Sequence, residues 1–232
     1  LSSFQLHWSK QAQFVACAIL NIADDHIDWH GSFDAYAKAK LTILDRATTA
    51  VLNASDGEIV KRSNHWQGRK VFYSLETPAP GEIGLVEELL VDRAFVQDPQ
   101  EASMFAELAE VQPTIPHNVS NTLAAAALAR TVGVSHEDIR SAIKAFRPGR
   151  HRIETVHTAD SINWVDDSKA TNVGAALAAI EGLGADICGK LLLIAGGDGK
   201  GADFSALRTP VQHFCRAVVL LGRDADRLAA SL

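Results

Sequence analysis

Six short apolar runs, "FVACAILNI" (14–22), "TAVLNA" (49–54), "KVFYSL" (70–75), "INWV" (162–165), "KLLLIA" (190–195) and "AVVLLG" (217–222), constrain this chain most. Most are too short and too uniformly apolar to be surface helices, and a segment of helical character follows most of them. Strands buried on both faces read this way, and helices lie between them because parallel strands need long crossovers. The sequence therefore predicts an α/β fold with a parallel sheet covered by helices.

Between the runs, helices are predicted over Phe33–Leu44 and Gly57–Lys61, from His117 to Gly133, from Ser135, from Val173, from Phe204, and through "ADRLAASL" at 225–232. Gly133 suits a left-handed helix cap, and Ser135 with Asp138 has capping-box spacing. Residues 82–96 read as strand or hairpin. "FRPGRHR" (146–152) breaks the rhythm with Pro148, Gly149 and three arginines, and marks a domain boundary near residue 148. The expected organisation is 1–148, then a second α/β domain over 149–232 that is not closed. The first residue is not Met and the last helix has no stop signal, so the chain reads as part of a longer polypeptide.

Bulk properties exclude several classes. A formal charge of −6 argues against a general nucleic-acid binder, so any anionic ligand must be held by local basic clusters. The three cysteines, Cys17, Cys188 and Cys215, are far apart and in apolar surroundings, as expected of reduced thiols and not of a disulfide framework. The apolar stretch near the start spans about ten residues, half of the roughly 20 a membrane helix needs, and no basic segment precedes it.

Candidate chemistry sits at strand ends, where open α/β sheets bind ligands. "IADDHIDWH" (22–30) offers Asp24, Asp25 and His26, which could hold a divalent cation or simply cap a helix. In the helix at 33–44, Phe33, Tyr36, Ala37, Leu41 and Leu44 form an apolar stripe, and 100° per residue puts Lys40 near its centre. Such a lysine either snorkels to the edge or loses hydration, becomes neutral and can react with carbon dioxide to give a carbamate. In "PHNVSN" (116–121), Asn118 and Asn121 share the face near the positive end of the helix dipole, although spacing alone favours Asn118 as a simple N-cap. "IAGGDGKGADF" (194–204) presents Lys200 on a glycine loop able to face an anion, although it is no Walker A motif. "DDSKATN" (166–172) sets Asp167, Lys169 and Thr171 after a strand. A nicotinamide dehydrogenase would need GxGxxG after a strand; "GLGADICG" (182–189) has other spacing and precedes one.

Taken in order, "LSSFQL", "DDHID", "YAKAKLTI", "PHNVSN", "GRHRIE", "DDSKATN" and "GGDGKGADF" closely resemble the Mur ligase family of peptidoglycan synthesis, from Leu1 to at least Arg223. "DSKATN" with "GGDGK" points to the member that adds D-glutamate to UDP-N-acetylmuramoyl-L-alanine through an acyl phosphate. The resemblance implies the later part of a central ATPase domain and the first part of a Rossmann-like carboxyl-terminal domain. It also implies that a UDP-binding domain, the P-loop and the carboxyl-terminal end lie outside this sequence. The cofactors implied are ATP and Mg²⁺, in a cytoplasmic monomer. By position, His26 and a carbamylated Lys40 match Mg²⁺ ligands. Asn118 and Asn121 match nucleotide contacts, Arg152 an ATP-phosphate contact, and Asp167 a residue near the ribose; Lys169 and His151 lie beside them. Thr171 and Lys200 match groups that receive the D-glutamate carboxylates. Two alternatives remain at this level: a non-catalytic binding fragment, and a related ligase that adds another amino acid.

Overall fold

The computed structural model describes residues 1–9, 11–98 and 100–232. The chain packs as two units, one of residues 1–22 and 32–146, the other of residues 23–31 and 147–232.

The first unit is built on a six-stranded sheet in the order β1 (Phe14–Ile19), β2 (Ala47–Asn53), β3 (Arg69–Tyr73), β4 (Glu82–Val86), β5 (Leu89–Asp92), β6 (Ser103–Glu107). Strands β1 to β4 run parallel, whereas β4–β5–β6 are antiparallel, so the sheet is mostly but not wholly parallel. The hairpin of β4 and β5 supplies the reversal, in agreement with the strand-or-hairpin expectation for 82–96. Helix α5 (Pro116–Thr131) packs on β1, β2 and β3, and α6 (His136–Ala145) on β6. The core gathers Val51, Val71, Tyr73, Ile83, Leu90, Leu123 and Ala127, all essentially without solvent contact. The alanines of α5 let its backbone approach the sheet closely.

Local chemistry sets the helix ends. Pro116 occupies the first turn of α5, with Ile115 as N-cap. Asn118 is thus not the cap; its amide Nδ2 donates to Pro113 O at 2.8 Å. Gly133 follows the end of α5 at φ 83°, the left-handed conformation expected there. Ser135 caps α6, its hydroxyl accepting from Asp138 N at 3.1 Å. The helix predicted over 33–44 is shorter: α3 covers Phe33–Leu41, and a separate 3-10 turn covers Leu44–Arg46. Short helices α1 (Ser3–Trp8), α2 (Ile27–His30) and α4 (Gly57–Ser63) complete this half of the chain, α2 packing with the second unit.

The second unit holds β7 (Glu154–Ala159), β8 (Ile162–Asp166), α7 (Val173–Asp186), β9 (Leu191–Gly196), α8 (Arg208–Phe214), β10 (Cys215–Leu221) and α9 (Ala225–Ser231). Strands β9 and β10 pair in parallel, as the restarted rhythm implies. Instead of joining them, β8 pairs antiparallel with β7 among the described residues. The hairpin turns at Asp160 and Ser161, with φ 51° and 62°, two consecutive left-handed residues of the kind that match strand twist. The small core is Ile180, Leu207, Val211 and Leu228, packed beneath one face of β9 and β10.

Candidate functional site

In the second unit, three loops flagged by the sequence meet at one carboxylate. Asp25 belongs to the segment after β1, Asn172 to the loop after β8, and Lys200 to the glycine loop after β9. Asp25 Oδ2 accepts from Asn172 Nδ2 at 3.4 Å, and its Oδ1 lies 3.9 Å from Lys200 Nζ. Its Oδ1 also accepts from the backbone N–H of His26 at 3.0 Å, and the His26 Nε2 lies 3.6 Å from Oδ2. His26 sits at the N-cap of α2 in a left-handed conformation, φ 53°. Asn172 also caps α7, its Oδ1 accepting from Ala175 N at 2.9 Å. Lys200 itself is exposed.

The glycine loop is shaped by close packing. A Cβ on Gly196 would fall 1.7 Å from the carbonyl oxygen of Leu221, so no larger residue fits where β9 runs out against β10. Gly197 N then donates to Leu221 O at 3.0 Å, and Gly199 N to Asp224 Oδ2 at 2.7 Å. The Gly199 bond, and that of Arg227, hold the Asp224 carboxyl below its ordinary range. Lys200 follows at φ 51°, its N–H bound to Asp198 Oδ1 at 2.9 Å. The loop is thus fixed by its backbone, and the lysine side chain projects from a defined base.

A second cluster surrounds the end of β8. His151 Nδ1 lies 2.7 Å from Asp166 Oδ2, and the backbone N–H of His151 donates to Glu154 Oε2 at 2.9 Å. The imidazole N–H, with Ser168, pulls the Asp166 carboxyl down to about 2. His151, Glu154 and Asp166 present ligand atoms within 4.8 Å of one another, the spacing of a possible cation site. Asp167 Oδ1 accepts from Ile153 N at 3.1 Å and its carbonyl from Ala170 N at 2.8 Å; Lys169 N donates to His151 O at 3.1 Å. Arg152, Lys169 and Thr171 are exposed beside this scaffold.

In the first unit, Lys40 is partly exposed and not sealed in the apolar stripe. Its Nζ donates to the carbonyl of Asn21 at 2.7 Å and lies 5.3 Å from the centre of the Tyr36 ring. Both are contacts an ammonium makes well. Tyr36 and Ala37 are buried, so the stripe exists and Lys40 reaches past it. Asn118 and Asn121 lie three residues apart in the first two turns of α5, on one face.

Sequence reading gave Asp25 a metal-binding or a helix-capping role, and it singled out neither Asp166 nor the way Asn172 both caps α7 and binds Asp25. The signal for Asn172 was present: a helix-capping residue closing a polar loop.

Comparison with known proteins agrees with this layout. The Mur ligase middle domain matches residues 1–129, and the Mur ligase glutamate ligase domain matches residues 151–232. The chain belongs to the Mur ligase family. It is 47% identical over 236 aligned positions to the Thermobifida fusca (strain YX) protein named "UDP-N-acetylmuramoylalanine--D-glutamate ligase", covering 100% of this chain and 50% of that one. The Pseudomonas putida protein of the same name is also 47% identical, with the same coverage. The chain thus spans about half the length of the curated relatives it matches. Among solved structures, "Crystal structure I of MurF from Acinetobacter baumannii" superposes with a TM-score of 0.74 at 20% identity, over 93% of this chain and 48% of that one. The Thermotoga maritima MurC structure gives a TM-score of 0.65 at 15% identity, over 99% of this chain and 50% of that one. These two likenesses bear on the fold.

Proposed function

We propose that this chain is part of an ATP-dependent ligase that joins D-glutamate to UDP-N-acetylmuramoyl-L-alanine in peptidoglycan synthesis, acting in the cytoplasm as a monomer. The observation that carries the reading is 47% identity along the whole chain to relatives bearing that name, with the "DDH", "DSKATN" and "GGDGK" loops meeting at Asp25. In this reaction the γ-phosphoryl group of ATP passes to the substrate carboxylate and ADP leaves. The D-glutamate amine then attacks the acyl carbon, loses a proton and expels inorganic phosphate. Negative charge gathers on phosphoryl and carbonyl oxygens, so positioned cations and N–H donors are the natural catalysts.

Lys200 and Thr171 would receive the D-glutamate carboxylates. An ammonium on a rigid glycine loop acts as a point charge there, and Asp25 would keep it within reach. Arg152 would meet ATP phosphate, and Asp167 the ribose, with Lys169 and His151 beside them. Asn118 and Asn121 would contact the nucleotide. His26 and Lys40 would hold Mg²⁺. The imidazole of His26 is a ready donor, but the Lys40 amine is occupied as a hydrogen-bond donor to Asn21 O and offers oxygen ligands only as a carbamate. Bound Mg²⁺ would neutralise phosphoryl oxygens.

The test is phosphate release dependent on ATP, UDP-N-acetylmuramoyl-L-alanine and D-glutamate. The full-length parent is expected to turn over and the 232-residue chain alone not to. Lys200→Ala should raise the KM for D-glutamate more than that for ATP, and Asn118→Ala the reverse. Turnover supported by a different amino acid, and not by D-glutamate, would overturn the assignment.

A further inference from the structure

We propose that Asp166 is a positioning residue: by gripping His151 it fixes the strained turn that carries Arg152, the group read above as the ATP-phosphate contact. The inference rests on that reading of Arg152 and not on which amino acid is joined.

Arg152 stands between two residues in the left-handed region, His151 at φ 64° and Ile153 at φ 50°. Neither is glycine, and for a β-branched residue this conformation is an outlier. Such strain persists only where the surroundings over-determine it. Here both neighbours of Arg152 are tied to the loop after β8. His151 Nδ1 lies 2.7 Å from Asp166 Oδ2, and His151 O accepts from Lys169 N at 3.1 Å. Ile153 N donates to Asp167 Oδ1 at 3.1 Å. The turn is clamped on both sides, while the Arg152 side chain between the clamps is exposed. Arg150, by contrast, leans toward Glu154, its Nε 3.9 Å from Oε1.

Asp166 uses both carboxylate oxygens in this clamp. Its Oδ2 meets His151, and its Oδ1 accepts from Ser168 N at 2.9 Å, so one planar group sets the spacing between the turn and the loop. The 2.7 Å separation is that of a hydrogen bond to the imidazole. Two ligands of a tetrahedral cation, each about 2.1 Å from it, would sit about 3.4 Å apart. An ionised acceptor makes this one of the stronger hydrogen bonds. With Nδ1–H committed to Asp166, the tautomer and the ring orientation of His151 are both set. The consequence falls on Arg152. A guanidinium meets phosphate through a planar fork, so its value depends on the direction of approach. A misplacement of about 1 Å can cost about a hundred-fold.

Calorimetric ATP binding and steady-state kinetics on the full-length parent test the proposal. Arg152→Ala and Asp166→Ala should each weaken ATP binding about ten-fold, and Asp166→Ala should change the KM for D-glutamate less than about two-fold. Asp166→Asn keeps an oxygen that accepts from Nδ1–H and should restore the ATP affinity to within about three-fold. Asp166→Ala added to Arg152→Ala should weaken ATP no further, because the aspartate acts through the arginine. His151→Ala cuts the same bond from the other side and should give the same ATP-selective loss, which serves where Asp166→Ala does not fold. In the 232-residue chain, the Nδ1–H proton of His151 should give a slowly exchanging NMR signal that Asp166→Asn keeps and Asp166→Ala removes. Additive losses in the double variant would overturn the proposal, as would an Asn variant as damaged as the Ala variant. Equal rises in the KM for ATP and for D-glutamate would overturn it in favour of a merely structural bond. If Arg152→Ala weakens ATP and Asp166→Ala does not, the proposal fails while the reading of Arg152 stands. Turnover with another amino acid would fail the D-glutamate assignment alone, since this cycle is read on ATP.

Discussion

The two packing units bury their apolar residues to very different degrees. In the first, the central strand residues Val51, Leu52, Ile83 and Leu90 are wholly enclosed, with helices against the sheet. In the second, β9 and β10 are covered on one face only. Leu191, Leu193 and Ala195 pack toward α7 and α8, whereas Leu192 and Ile194 on β9 and Val219 and Leu221 on β10 are each more than half exposed. Alternation along one strand shows a sheet with a single lined face. Yet the denser grouping of flagged polar residues, around Asp25 and Lys200, lies in this thinly packed unit. Precision there comes from backbone hydrogen bonds and caps, and not from depth of core.

Stability measurements can break or sharpen this contrast. The largest effect is expected at Asp92, which is fully buried in the first unit. Its Oδ1 accepts from the N–H groups of Ala94 and Phe95 at 2.8 and 2.9 Å, and its Oδ2 meets Arg130 Nε at 3.2 Å and His136 Nε2 at 2.9 Å. Asp92→Ala leaves those donors unpaired, and a loss of about 3–5 kcal/mol is expected in urea unfolding followed at the first unit. Next, Leu123→Ala should cost about 2–5 kcal/mol because it opens a cavity in a closed core, while Leu192→Ala should change stability by less than about 0.5 kcal/mol. Equal losses at the two leucines would show that the exposed face of β9 is covered in solution.

A smaller effect is expected at Asn172→Ala, about 1 kcal/mol for a lost helix cap. It should be read as reduced amide protection in the first turn of α7. The smallest is a matter of acid. Asp166 is depressed to about 2 by His151 and Ser168, and Glu110 to about 2 chiefly by Arg140. Carboxylates with lowered folded pKa values contribute stability above their unfolded pKa of about 4 and lose it as pH falls through about 2. Each unit therefore has an acid-sensitive contact in the same window, and the second unit adds Asp203 and Asp224, whose carboxyls are also held below their ordinary range. Asp166→Asn should flatten the pH 4 to 2 dependence of exchange at residues 151–168 and leave that near Glu110 intact.

Much of this was legible in the sequence. The apolar runs located β1, β2, β3, β8, β9 and β10, because buried strands advertise themselves by continuous hydrophobicity. Gly133 and Ser135 announced a helix end and a helix start correctly. What escaped was set by tertiary partners. Strand β7, "ETVHTA", has weak alternation and turns through Asp160 and Ser161, not through the glycine-containing pair that signals a hairpin most clearly. Periodicity placed Lys40 within the apolar stripe, but it could not show that the long side chain would find the carbonyl of Asn21. The polar loops were visible one by one; that Asp25 would be the point where three of them meet depends on chain folding that spacing does not encode.

Residues 23–31 pack with the second unit although β1 precedes them and α3 follows them. A clean scission between Phe146 and Arg147 would therefore not release the second unit intact: the carboxyl-terminal piece would lack residue 25, and with it the acidic neighbour of Lys200 and Asn172. Genetic dissection at the obvious linker thus separates the glycine-loop cation from its counter-charge, so a truncated carboxyl-terminal half is a poor proxy for the environment of that lysine.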